Sequence, residues 1–114
     1  MVATAPVLDI TEVVISVDDA MFAAIDGVAQ LRWRLLEAVG AGARRVVVDL
    51  SAVSQLSSTA VAALLGVHRV CRARGGAVVL RGPTRSTLNL LYRTGLWRVM
   101  QVEGGPRPGP GRSW

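Results

Sequence analysis

Apolar and polar residues alternate between short-period and long-period patterns along this chain, and the alternation predicts the order of its elements. Val7 to Val17 carries Val7, Leu8, Ile10, Val13, Val14, Ile15 and Val17, rich in β-branched side chains, and predicts a strand or a hairpin arm. Asp18-Asp19 signals a turn, after which Ala20 to Ile25 is expected to return as a short second strand closed by Asp26-Gly27. From Val28 to Val39 the apolar positions Val28, Leu31, Leu35, Leu36 and Val39 recur at threes and fours, with Gln30, Arg32, Arg34 and Glu37 on the other faces. That spacing predicts an amphipathic helix, ended by Gly40-Ala41-Gly42.

The second half repeats the alternation. Val46-Val47-Val48 is an all-apolar run flanked by arginines and Asp49, the mark of a buried strand. Ala60 to Cys71 reads as a helix with Val61, Leu64, Leu65 and Val67 facing a core, stopped by Gly75-Gly76. Val78-Val79-Leu80 predicts the next strand and Gly82-Pro83 a turn. Thr84 or Ser86 then caps a helix through Leu88, Leu90, Leu91 and Tyr92, which Gly95 terminates. Leu96, Trp97, Val99, Met100 and Val102 form a last apolar patch expected to fold back on the core.

Strands alternating with helices predict an α/β domain with a mixed sheet of four or five strands and helices packed against it. At 114 residues, 51% of them hydrophobic, the chain suffices for one such domain, expected over residues 1–103. The remainder, Gly104 to Trp114, is dominated by Gly and Pro and is expected to be a disordered tail.

Charge and chemistry narrow the functional classes. All thirteen basic residues are arginines, giving a formal net charge of +5, but they are scattered and form no stripe interleaved with aromatics. No nucleic-acid partner is expected. Arg69, Arg72 and Arg74 cluster near the end of a predicted helix, where cations suit the negative end of its dipole. Cys71 is the single cysteine and His68 the single histidine, so an intrachain disulfide and a Cys/His metal cluster are excluded. Each is expected in a packing role. Apolar runs fall short of the roughly 20 residues of a membrane span, and Met1 to Asp9 lacks a leader pattern, so a cytoplasmic location and no membrane insertion are expected. No Gly-rich phosphate loop, carboxylate cluster or serine-nucleophile elbow is present, and His68 lies too far along the helix to serve Ser58 as a base. Neither an enzyme nor a cofactor is expected.

The candidate site is the hydroxyl cluster Ser57, Ser58 and Thr59 between the Val46 strand and the following helix. A helix start presents unpaired N–H groups and the positive end of the macrodipole, so an added phosphate is tolerated there. Capping alone also accounts for hydroxyls at this place.

Four segments are similar to the STAS domains, named for sulphate transporters and anti-sigma factor antagonists. They are VVVDLSAV at Val46 to Val53, LSSTAVAALLG at Leu56 to Gly66, RARGGAVVL at Arg72 to Leu80 and LLYRTGLWRV at Leu90 to Val99. In small single-domain members the resemblance implies a bacterial partner-switching protein that binds an anti-sigma factor, is phosphorylated by that factor's serine-kinase activity, and then lets go. The family motif Asp-Ser-Ser/Thr-Gly falls on Ser57, Ser58, Thr59 and Ala60, which puts the phosphoacceptor at Ser58, with Ser57 and Thr59 as alternates. Ser57 and Ala60 replace the motif's Asp and Gly, and an upstream Gly-x-x-Asp signature corresponds to Ala23-Ala24-Ile25-Asp26. The implied partner surface comprises Ser54, Gln55, Ser57, Ser58, Thr59, Val61 and Ala62. The replaced residues leave a second expectation open: a STAS subunit that is never phosphorylated, serving a membrane transporter as an accessory or a regulatory complex as a scaffold.

Overall fold

The structure is a computed structural model, and it describes residues 12–106. Strand β1 (Glu12–Asp18) leads into a short helix α1 (Asp19–Ala23) and then helix α2 (Gly27–Gly40). Strand β2 (Arg45–Ala52), helix α3 (Ser58–Ala73), strand β3 (Ala77–Arg81) and helix α4 (Arg85–Thr94) follow, and a 3-10 turn (Leu96–Arg98) brings the chain to strand β4 (Gln101–Glu103). The strands form one sheet in the order β1-β2-β3-β4, each neighbour parallel.

One expectation is corrected here. Ala20 to Ile25 does not return as a strand: Asp18 takes an extended backbone and its carboxylate accepts the Met21 N–H at 2.8 Å, capping α1 instead. Ala, Met and Phe then turn helically while Met21 and Phe22 pack on the core. The four described strands pair in parallel throughout. The beginning of the expected first strand, Val7 to Thr11, and the tail beyond Pro106 lie outside the described residues.

Sequential parallel strands constrain where the helices go. A right-handed crossover at every step, with each strand laid beside the last, puts all the connecting helices on one face. Register shows the result. Ile15, Val17, Val46, Val48, Leu50, Val78 and Leu80 point to that face and share one buried cluster with Leu31, Leu35 and Val39 of α2, Leu64, Val67 and Cys71 of α3, and Leu91 of α4. Each fully buried Leu or Val there contributes roughly 1.5–3 kcal/mol of apolar burial. The opposite face carries Glu12, Arg45, Val47, Asp49, Val79, Arg81 and Glu103, of which only Val47 and Val79 are fully buried.

His68 and Cys71 take the packing roles expected of them. The His68 ring is 6% exposed, and its Nδ1 accepts the Val78 N–H at 3.2 Å, fixing the tautomer with the proton on Nε2. Burial pushes its pKa below the ordinary value, with nearby Arg72 acting in the same direction and a hydrogen bond to the Val99 backbone opposing them. Burial likewise raises the Cys71 thiol, which is a core group and not a thiolate.

Candidate functional site at the start of helix α3

The strand ends of β1, β2 and β3 deliver three helix starts to the same edge of the sheet, and the predicted site lies among them. Between β2 and α3 the chain is pinned by two apolar anchors, Val53 and Leu56, both buried, so the residues between and after them face outward. Two polar clamps fix the loop from outside. The Asp19 carboxylate at the start of α1 accepts the Ser54 N–H at 3.0 Å, and the Thr84 hydroxyl donates to the carbonyls of Val53 and Ser54 at 3.3 and 3.2 Å. Thr84 also caps α4 through the Thr87 N–H, so this residue, and not Ser86, is the cap.

The three hydroxyls divide their labour. Ser57 is extended at φ −80° and ψ 160°, and its Oγ accepts the Ala60 N–H at 3.1 Å, which makes it the N-cap of α3. The helix therefore begins at Ser58, two residues before the position that hydrophobic spacing indicates. Ser58 and Thr59 occupy its first positions, exposed, and neither side chain forms a hydrogen bond with the described residues. Ala60 is fully buried, so the methyl that stands in the motif's glycine position packs into the core beneath the site. No acidic residue stands in the first turn, which leaves the positive end of the α3 dipole unopposed.

The surface expected from the resemblance is thus contiguous. Ser54, Gln55, Ser57, Ser58, Thr59 and Ala62 are exposed together, and Val61 is half-buried against the core at their border. Asp19 and Thr84 are the contributors that pattern reading misses as site residues, since a carboxylate in a turn and a helix cap look purely local. Ile25, fully exposed in the α1–α2 connection, rises from the same edge. The segment Ala23-Ala24-Ile25-Asp26 spans the last residue of α1 and that connection, where the Asp26 side chain accepts from Gln30 at 3.1 Å without capping the helix backbone. Nearby, Asp49 is held below the usual carboxylate range, chiefly by the Ser51 hydroxyl at 2.6 Å and also by its N–H at 2.9 Å.

Among the described residues no cluster of three or more His, Cys, Asp or Glu side chains is placed to hold a metal, and no helix is long and apolar enough to cross a membrane. A surface pinned from beneath and offering unengaged hydroxyls is suited to docking another macromolecule.

Comparison with known families identifies the fold. A family model described as "Mlab, STAS domain" matches residues 8–101, most of the chain. The chain belongs to the STAS domain family. Solved structures with this STAS fold include a putative anti-sigma factor antagonist from Thermotoga maritima, 15% identical, covering 82% of this chain and 79% of its own, with a TM-score of 0.69. The anti-sigma factor antagonist SpoIIAA in its unphosphorylated form is 22% identical over 80% of this chain and 78% of its own, with a TM-score of 0.67. A chain of the stressosome, described as a signal integration and transduction hub, is 23% identical over 83% of both, with a TM-score of 0.64. No curated protein sequence matches this one significantly. These STAS neighbours share the parallel sheet with its helices, and their identities are low enough that the likeness is one of fold.

Proposed function

We propose that this STAS domain is a regulator of the anti-sigma factor antagonist type, which binds a protein partner through the surface from Ser54 to Ala62 and releases it when Ser58 is phosphorylated. The observation that carries this reading is the division of the hydroxyls. Ser57 is spent on the cap, while Ser58 stands exposed beside it with no hydrogen bond to a described residue. A phosphate there adds a charge of about −1.5 to −2 at a helix start whose first turn holds no acid, so the domain tolerates it. A partner packed over the same hydroxyls does not, because it meets desolvation and repulsion. A few kcal/mol of such difference changes affinity by orders of magnitude. The partner implied by this reading is an anti-sigma factor with serine kinase activity, and the place of action is the cytoplasm.

A second reading has its own support. No carboxylate adjoins Ser58, since Ser57 replaces the motif's Asp, and the matching family model carries the name of Mlab and not of a phosphorylated antagonist. On this reading the same surface docks permanently in a transporter or scaffold complex. Pull-down from native extract, joined to mass spectrometry after incubation with the captured partner and ATP, separates the two. The switch requires a phosphate on Ser58 that is absent from Ser58→Ala, and at least a tenfold loss of partner affinity in Ser58→Asp. Capture of a partner without modification at Ser57, Ser58 or Thr59 overturns the switch and favours permanent docking.

A further inference from the structure

Arginines far apart along the chain meet at one end of the molecule. Because every strand is parallel, the strand starts and the helix ends share that end, and the Ser58 surface lies at the other. Arg44 precedes β2, Arg72 and Arg74 close α3, Arg93 sits in the last turn of α4, and Arg98 belongs to the 3-10 turn. All five are exposed, and none forms an ion pair among the described residues. The Arg44 guanidinium lies beside Gly75, and that of Arg74 donates to the Val39 carbonyl at 3.4 Å, so these two cations stand over the ends of α3 and α2. Arg72 and Arg98 flank one cleft, which no acidic side chain lines. Of the carboxylates on neighbouring elements, Glu12 is bound by Arg45 on the helix-free face, and Glu37 lines a hollow with Arg34 on the β1 side of α2. Asp18, Asp19 and Asp26 stand at the opposite end, by the starts of α1 and α2.

A cation suits the negative end of a helix dipole, but cations gathered without an acid between them repel one another, and an anionic surface relieves that repulsion. The apolar residues choose among anionic partners. Val70, Trp97 and Val99 are 41%, 39% and 53% exposed, three of the six large apolar side chains so exposed among the described residues. Val99 follows Arg98 and lines the cleft with Arg72, and Val70 lies one helical turn before Arg74. Trp97 is braced by Tyr92 and covered on one side by the Arg98 guanidinium, so it offers only the rest of its indole. A nucleic-acid backbone engages the cations and leaves such side chains in water, whereas the headgroup layer of a bilayer takes both. The groups are spread over the ends of several elements and not set around one pocket, which suits a layer of like headgroups better than a single shaped partner.

We propose that this end of the domain adsorbs to an anionic lipid bilayer, with the arginines among the headgroup phosphates and Val99 at the acyl boundary. Adsorption of this kind requires no spanning segment. The Ser58 surface then faces away from the bilayer, open to its protein partner, and the adsorption does not depend on which partner that is.

Co-sedimentation of the full chain with lipid vesicles tests this. Phosphatidylcholine vesicles containing about a third phosphatidylglycerol carry the chain down at about 0.1 M salt, vesicles of phosphatidylcholine alone do not, and about 0.5 M salt lowers the partition coefficient about tenfold. Arg72→Gln, Arg74→Gln and Arg98→Gln, all at exposed positions, each lower it about fivefold, and Val99→Ser lowers it about threefold. Arg85→Gln removes the same charge at the opposite end, where α4 starts, and changes it by less than about twofold, as does Ser58→Asp. Failure to sediment with the anionic vesicles, equal partition into neutral and anionic vesicles, or equal losses from Arg85→Gln and Arg72→Gln overturns the proposal. Tighter binding to a short DNA duplex or to polyglutamate, with the same dependence on the arginines, overturns it as well and assigns the patch to a nucleic acid or an acidic protein segment.

Discussion

At residue scale, neighbouring side chains of like chemistry do different work because one backbone conformation separates them. Ser57, extended, turns its hydroxyl onto the Ala60 N–H, and Ser58, already helical, does not. Ser57→Ala is expected to lose about 1 kcal/mol of stability and Ser58→Ala almost none, read as urea midpoints; Ser57→Asp, which caps equally well, keeps wild-type stability. His68 makes a pH prediction whose direction follows from its surroundings. The unfolded imidazole protonates near its ordinary value of 6.5, and the folded one lower because it is buried beside Arg72 with Nδ1 committed to the Val78 N–H. Its contribution is complete above the unfolded value, falls as the pH drops towards the folded value because the unfolded chain takes up the proton first, and levels off below it. Comparing urea midpoints at about pH 8 and about pH 5 therefore shows a loss in the wild type. In His68→Gln, whose amide oxygen accepts the same N–H, that part of the loss is expected to vanish.

At the scale of elements, two glycines of the same type oppose each other in effect. Gly27 opens α2 against the turn before it, where an added Cβ meets the Met21 carbonyl oxygen at 1.9 Å; Gly66 lies inside α3 with nothing within 4 Å of an added Cβ. Gly27→Ala is expected to lose about 1–3 kcal/mol through the forced shift of α1, and Gly66→Ala to gain about 0.5–1 kcal/mol from helix propensity. Thermal midpoints moving in opposite directions check the pair. Such contacts also mark what was legible beforehand. Helices α2, α3 and α4 and strands β2 and β3 announce themselves because Leu31, Leu35 and Val39, or Val46 to Val48, repeat a period long enough to be read. Helix α1 has only five residues, too few for a period, and its conformation is decided by one carboxylate, that of Asp18, and by where Met21 and Phe22 find cover. The hydroxyl cluster was visible as a cluster, but the clamps on it were not, because Asp19 and Thr84 meet Ser54 only after the strands have aligned. Arg72 and Arg98 are brought to one cavity in the same way, by the crossover through α4.

At the scale of the whole molecule, sequential parallel strands leave all the helices on one side and give the other side a different means of cohesion. Arg45 of β2 donates to Glu12 of β1 at 2.8 Å and also binds Glu103 of β4, while Arg81 of β3 donates to Glu103 at 2.7 Å. One alternating cluster of two guanidinium groups and two carboxylates thereby ties all four strands together across a face without helices. The side chains are a third or more exposed, so solvent and salt screen them, and their effect on stability is small beside that of the buried aliphatic face. Arg81, with Arg45 adding to it, holds the Glu103 carboxyl below its ordinary value, so the cluster's contribution is present above that value and is lost as acid protonates the folded carboxylate. A double-mutant cycle with Arg45→Gln and Glu103→Gln, followed by urea midpoints, is expected to show favourable coupling at neutral pH and low salt. The coupling shrinks in about 1 M salt and is lost as the pH falls through the lowered value of the folded Glu103 carboxyl, which becomes neutral. Coupling that survives both conditions would mean the cluster acts through packing of the arginine stems over the sheet and not through charge, and Arg45→Met, which keeps an apolar stem, would then restore the wild-type midpoint.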